Sequence, residues 1–244
     1  AFLERLCREG CFAVTIDSAG ELSRLRALPA SAGSVRFLLR VNPGIAIGGL
    51  DMGGDSQFGL GVDEAMEMVR QPRFGQHEFA GLHFYFGSQR LKPEPIVKTV
   101  SIVTDVLRAF GAAGCRVPRV DVGLGCGVPY LEKDQDIDMS ALRAQLAPLW
   151  ADPTWKGVEV WSEAGRSLVG RSGSFVARVL ERKQLNGRTY IMLDGGLNAH
   201  NPGVGLGRIF KSNPRFQFAP ARADAAVERV EICGSLCTSA DRLG

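Results

Sequence analysis

Phe79-Ala80-Gly81-Leu82-His83-Phe84-Tyr85-Phe86-Gly87-Ser88-Gln89 is an apolar run of strand length that closes on a glycine, a hydroxyl and an amide. Successive side chains of a strand point to opposite faces, so His83 and Tyr85 share one side. Downstream, Val97, Val100, Val103, Leu107 and Phe110 keep helical spacing, and Val117 to Val122 reads as another strand, broken by glycines. Ser140 to Leu149 follows as a short helix and Gly157 to Trp161 as a strand. Upstream, Cys11 to Ser18 is an apolar run, a helix carries Leu22, Leu25 and Leu28, and Val35 to Val41 is a buried strand closed by Asn42-Pro43. Residues 63 to 70 read as a helix capped by Asp63, with Met66 and Val69 on one face. Strands alternating with helices predict a parallel α/β sheet or barrel. After Ser172 the rhythm changes. Phe175 to Leu180, Thr189 to Leu193 and Val227 to Ile232 are strand-like with little helix between, so residues 172–244 read as a β-rich domain following an α/β domain at 1–171.

Composition narrows the function. The chain has 244 residues, and its formal net charge of +3 is spread along it without the basic stripe that nucleic-acid binding needs. No run approaches the ~20 apolar residues of a membrane span. Six cysteines follow no tight framework in a chain long enough to fold without staples, which points to a reducing, cytoplasmic setting. Cys233 and Cys237 lack the second pair that a zinc ribbon requires, so no metal site is expected. The chain begins in mid-helix pattern without Met and stops at Asp241-Arg242-Leu243-Gly244, so it reads as a piece of a longer protein.

In parallel α/β architectures ligands gather at the carboxyl ends of strands. Three successive strand ends here carry unusual residues: Gly87-Ser88-Gln89, Gly123-Leu124-Gly125-Cys126-Gly127, and Glu163-Ala164-Gly165-Arg166. Glycines let backbone N–H groups approach an anion, Ser88 adds a hydroxyl, and Arg166 a forked cation. Together they describe a phosphate cradle, although each alone is more often a turn or a surface residue. Glu163 beside a pyridine nitrogen would keep that nitrogen protonated, since an opposite charge favours the charged form. His83 is by itself more often a core residue than a catalyst.

The order Arg40-Val41-Asn42-Pro43, Gln57-Phe58-Gly59, Gly81-Leu82-His83, Gly87-Ser88-Gln89, the loop Gly123 to Gly127, Glu163-Ala164-Gly165-Arg166, Asp194-Gly195-Gly196 and Cys233-Gly234-Ser235-Leu236-Cys237 resembles the diaminopimelate and ornithine decarboxylase family. The resemblance runs through nearly the whole chain. It implies a pyridoxal 5′-phosphate (PLP) barrel of the alanine-racemase-like (β/α)8 type, here only its last five strands, followed by the start of a β-rich domain. It also implies a homodimer with shared active sites. Ser88, Gly123, Gly125, Gly127, Gly165 and Arg166 would then hold the phosphate, Glu163 the pyridine nitrogen, and His83 and Tyr85 the ring, with Tyr85 standing where the family stacks a histidine. Cys237 matches a cysteine that reprotonates substrate in the partner subunit's site, and Thr238 and Asp241 fall at substrate-contacting positions.

Four departures shape the expectation. Tyr85 replaces the histidine, Ala164 a proline, and Leu124 a glycine, where its side chain is expected to crowd the phosphate. Thr238 stands where diamino-acid decarboxylases carry an acid; a buried distal ammonium without a partner is costly, so an uncharged, acidic or carrier-bound aminoacyl substrate is expected. Residues 194–200 and 236–244 resemble a subgroup from biosynthetic clusters that includes decarboxylases of carrier-tethered glutamyl groups and exosortase-associated ones. None of the six lysines (Lys92, Lys98, Lys133, Lys156, Lys183, Lys211) matches the family's cofactor lysine, which ends the first barrel strand. The isolated piece is therefore expected to be inactive. The rival expectation is a homologue that has lost catalysis and serves as a regulatory binding partner.

Overall fold

The computed structural model describes residues 2–47, 50–51, 54, 56–71, 74–200, 213–219 and 227–244; Lys211 lies outside them. The chain divides into two compact units, Ala1–Val128 with Ile137–Gly170, and Pro129–Asp136 with Arg171–Gly244.

The first unit runs α1 (Phe2–Arg8), β1 (Ala13–Ile16), α2 (Ala19–Arg26), β2 (Arg36–Arg40), β3 (Leu50–Asp51), α3 (Val62–Val69), β4 (Glu78–Tyr85), β5 (Gly87–Ser88), α4 (Pro93–Ala112), β6 (Arg119–Gly123), α5 (Met139–Trp150), β7 (Glu159–Ser162) and α6 (Arg166–Val169). Five strands form one sheet in the order β1-β2-β4-β6-β7, every neighbouring pair parallel. Alternation explains the sheet. Ile16, Phe37, Leu39, Leu82, Phe84, Val120 and Val122 are buried on one face, in a core shared with Leu22 and Leu25 of α2, Ala65 and Met68 of α3, the apolar stripe of α4, and Leu142 and Leu146 of α5. Of the residues between them, His83 and Asp121 are polar and Leu38 is apolar, and all three face the other way. Arg40 Nη1 lies 3.4 Å from Asp17 Oδ1, and Arg119 grips Glu159 Oε2 through Nε at 3.0 Å and Nη2 at 2.5 Å.

That polar face is concave. Phe12 precedes β1 and Trp161 lies in β7, at opposite edges of the sheet, yet their rings are 5.2 Å apart with Arg119 against both. Four flat strand spacings would separate them by about 19 Å. The sheet is curled into an incomplete barrel, the architecture expected from the strand–helix rhythm.

The caps are local chemistry. Ser18 accepts from Glu21 N at the start of α2, and Asp138 accepts from Ser140 N and Ala141 N at the start of α5, both at 2.9 Å. Asp63 is not the cap of α3. Gly61 holds that position, and Asp63 lies in the first turn, where its charge suits the positive end of the helix. Between β2 and β4 the pairing passes from Phe37↔Phe79 to Leu38↔Gly81, leaving Ala80 without a partner in a β-bulge. At Gly81 a Cβ would collide with Arg119 O, so β6 closes on β4 there only because the residue is glycine.

The second unit holds β8 (Val179–Leu185), β9 (Arg188–Leu193) and β10 (Val230–Cys233). β8 and β9 form an antiparallel hairpin, and β10 adds to β9 in parallel. Asn186 and Gly187 have φ of 51° and 73°, the conformation that a two-residue I′ hairpin turn demands. Among the described residues the second unit's core is Leu193, Ile232 and Leu243, flanked by Ala177, Ile191, Phe216 and Val230. Among the described residues no helix is long and apolar enough to cross a membrane.

Candidate active site

β4, β6 and β7 end side by side, since Tyr85 pairs with Gly123 and Val122 with Ser162. The loops that follow are fastened to one another. Arg90 N donates to Gly125 O at 3.0 Å, and Gly127 N donates to Arg90 O at 2.9 Å. Gly125 has φ +70°, and a Cβ there would collide with Gly87 O and lie 3.3 Å from Ser88 Cα; at Gly127 it would sit 2.9 Å from Gln89. Both loops approach at backbone distance because these positions are glycine. The third loop joins through Gln89, itself at φ 61°, whose Oε1 lies 3.3 Å from Arg166 Nη1 and whose Nε2 donates to Val128 O at 2.5 Å. The three strand ends singled out in the sequence therefore come together in space, bringing Ser88, Gly125 and Arg166 to one place, with Gly165 open to its surroundings.

Two residues of this assembly were given no role by the sequence, Gln89 counting only as part of its strand-end loop. Gln89 is the tie, and its left-handed backbone is invisible to periodicity. Arg90 reads as a surface residue but is 4% exposed, with Nη1 donating to Thr99 Oγ1 at 2.7 Å and Nη2 to Phe86 O at 3.0 Å. It braces the loops from beneath. The expectation for Leu124 is corrected: its side chain packs against the hydrophobic core, and its carbonyl accepts from Arg90 Nη1 at 3.4 Å. The loop's alternation turns it inward, away from the glycine cradle.

Beside the cradle lies a second group on the concave face. His83 of β4 is 6% exposed, and its Nε2 is 3.6 Å from Glu163 Oε1, within ion-pair distance but just beyond hydrogen-bond length. Asp121 pairs with His83 in register across β4 and β6, and one polar atom from each of the three residues falls within 4.8 Å of the others. Burial holds the imidazole of His83 below its usual range, against the pull of Glu163 and Asp121, while Arg40 adds to the lowering. Burial also raises the Asp121 carboxyl, which His83 lowers and Glu163 raises further. A Cβ on Gly123 would lie 2.5 Å from Tyr85 Cδ2 and 3.4 Å from Glu163 Oε2, so ring and carboxylate flank the bare glycine. Arg40 stacks on Phe58 at 4.6 Å and reaches Tyr85 at 5.9 Å. Asp121 was missed in the sequence, though the alternation that pairs His83 with Tyr85 also puts an acid of the next strand on their face.

In the second unit Cys237 is exposed. Thr238 lines a cavity of about 260 Å3 together with Lys183, Tyr190, Met192, Asp241 and Arg242. Asp241 is 3% exposed, and its carboxylate accepts from Leu197 N at 2.6 Å and Leu236 N at 2.9 Å. A Cβ on Gly196 or on Gly234 would collide with that carboxylate. Asp241 thus locks the loop leading to Cys237 onto the loop at Gly196-Leu197.

Residues 1–170 match the family description "Pyridoxal-dependent decarboxylase, pyridoxal binding domain". The L-glutamyl-(BtrI acyl-carrier protein) decarboxylase of Niallia circulans is 28% identical over 256 residues, covering 99% of this chain and 59% of that protein. A diaminopimelate decarboxylase of Methanothermobacter thermautotrophicus is 27% identical over 237 residues, covering 93% and 54%. Among solved structures, diaminopimelate decarboxylase from Helicobacter pylori complexed with L-lysine superposes with a TM-score of 0.81 at 22% identity, covering 99% of this chain and 59% of that one. Lysine/ornithine decarboxylase from Vibrio vulnificus complexed with cadaverine gives 0.74 at 19%, covering 96% and 58%. The chain spans 54–59% of the length of these relatives and shares their fold. With 170 of its 244 residues matched, and the strand-end loops assembled as described, the chain belongs to the pyridoxal-dependent decarboxylase family, whose cofactor is pyridoxal 5′-phosphate.

Proposed function

We propose that the protein containing this chain is a PLP-dependent decarboxylase acting on an amino acid or carrier-bound aminoacyl group without a distal ammonium. The observation that carries this reading is the fastening of three successive strand-end loops into one cradle. The residues fit a phosphorylated pyridine: Gly125 lets its loop close on Gly87 and Ser88 at backbone distance, Arg166 joins them through Gln89, and Glu163 and Tyr85 flank bare Gly123 beside them.

In that reading the glycine N–H groups, Ser88 and Arg166 bind the phosphate as charge-assisted donors. Tyr85 offers the ring an aromatic face, and Glu163 Oε2 accepts the pyridine N–H, whose charge an adjacent carboxylate favours. When bound, PLP supplies the electron sink for the pair left at Cα as carbon dioxide departs. Cys237, on its exposed loop, delivers the proton to that carbon in the partner subunit of a cytoplasmic homodimer. Thr238 shares its cavity with Lys183 and Arg242, cationic neighbours that suit an acidic or tethered substrate better than a diamine. The likeness to a carrier-protein glutamyl decarboxylase supports the same choice.

The test is the full-length, PLP-loaded protein assayed for carbon dioxide release from carrier-bound glutamate, free glutamate, diaminopimelate, lysine and ornithine. Release from the acidic or tethered substrates is expected. Release confined to diaminopimelate, lysine or ornithine, each of which carries a distal ammonium, overturns the substrate reading, and absence of release from every amino acid and carrier-bound substrate overturns the decarboxylase. Cys237→Ala should lower kcat about 100-fold, the scale of a lost general acid.

A further inference from the structure

We propose that His83 is a positioning residue for Glu163: its Nε2–H fixes Oε1 so that Oε2 is presented to the cofactor's ring nitrogen. This rests on the reading of Glu163 given above.

The geometry divides the carboxylate between two tasks. Oε1 faces His83 Nε2 at 3.6 Å, whereas Oε2 lies over Gly123, beside Tyr85, where a Cβ would be 3.4 Å away. Glu163 needs such an anchor. Its side chain is 52% exposed and it follows the end of β7, so an unfixed carboxylate would sample several rotamers. His83 is rigid by contrast, 6% exposed in the middle of the sheet.

The tautomer follows from burial. Nδ1 of His83 has no hydrogen-bond partner among the described residues. An orphaned buried N–H is rarer than an under-satisfied acceptor, so the proton belongs on Nε2, where Glu163 receives it, and Nδ1 keeps its lone pair. The charged groups around the imidazole are Arg40 from β2, Asp121 from β6 and Glu163 after β7, with Asp17 behind Arg40. Burial outweighs them and keeps the ring neutral, which is the state that donates from one nitrogen only.

The decisive measurement is the 15N shift of the cofactor's ring nitrogen, using ring-labelled PLP in the full-length protein. His83→Leu should move it toward the unprotonated position, and His83→Gln, whose amide donates from nearly the same place, should restore most of the change. Glu163→Gln sets the scale of complete loss. If Glu163→Gln shifts the resonance and His83→Leu does not, the positioning role is wrong while the cofactor reading stands. If Glu163→Gln leaves it unmoved, the cofactor reading itself fails, and this inference with it. Should His83→Leu not fold, the ring nitrogens of His83 in the unaltered protein decide. The Nε2–H tautomer is expected, and Nδ1–H or an imidazolium overturns the proposal.

Discussion

Two loops that follow strands, Gly123–Gly127 after β6 and Gly234–Cys237 after β10, are held by opposite means. The first is fastened by backbone hydrogen bonds to Arg90, by glycine contacts with the neighbouring loop, and by Gln89 reaching a third loop. Among the described residues, the second is joined to the loop at Gly196-Leu197 through one buried carboxylate, Asp241, beside its own backbone bonds from Gly234 N to Asp241 O and from Asp241 N to Thr238 O, and its unit's core there holds three buried apolar residues. Redundant fastening keeps its shape when one tie is cut. A single tie does not.

The largest effect should therefore fall on the second unit. Asp241→Ala leaves the N–H groups of Leu197 and Leu236 without their acceptor, at roughly 1–3 kcal/mol each. Differential scanning calorimetry should show that unit melting early, and a loss under 1 kcal/mol would erase the contrast. Gly125→Ala adds strain of about 1–2 kcal/mol for a side chain in the left-handed region, and the collision with Gly87 O. The full-length protein should still fold but lose PLP at least ten-fold more readily in equilibrium dialysis; unaltered retention would mean that the loop does not meet the phosphate. Gln89→Ala should be milder, since each lost hydrogen bond is worth about 1 kcal/mol and the backbone ties to Arg90 remain. A few-fold weaker cofactor retention with an unshifted Tm is expected.

The smallest effect is on pH dependence. Burial lowers the pKa of His77 and His83 below 6.5, so the unfolded chain binds more protons between the folded value and 6.5, and stability falls as pH drops through that window. Asp121 is raised above 3.8, so the folded chain binds the extra proton there, and its contribution improves as pH falls. Urea midpoints between pH 7 and pH 5 should fall less steeply for His83→Gln and more steeply for Asp121→Asn. Parallel curves would show that the imidazole is not desolvated.

The sheet was legible because its buried face writes an apolar pattern into every strand, and predicted limits fall within a few residues of those observed. The cradle was legible because glycine, hydroxyl and guanidinium stand at successive strand ends. What escaped is what depends on conformation or on burial of a polar group. Gln89 acts through a positive φ, Arg90 is a buried cation, and Leu124 turns to the core from a position that chain order assigns to the ligand. β8 was placed too early because Phe175 to Leu180 is apolar, whereas the hairpin signal was Asn186-Gly187, with exposed Glu181, Arg182 and Lys183 in the strand before it.

The unpaired Ala80 has a consequence for how this strand can vary. Were pairing to continue from Arg36↔Glu78 without interruption, Arg40 would stand opposite Leu82, and the imidazole and phenol that follow would be turned among the helices. One extra residue acts as a phase shifter, reversing which half of the downstream strand sees solvent and which sees hydrocarbon. Length at this point is therefore tied to pairing: deleting Ala80 would remove the bulge and leave Leu38 opposite Gly81 as it is now, whereas straightening the strand with Ala80 retained would invert every later position of β4 at once.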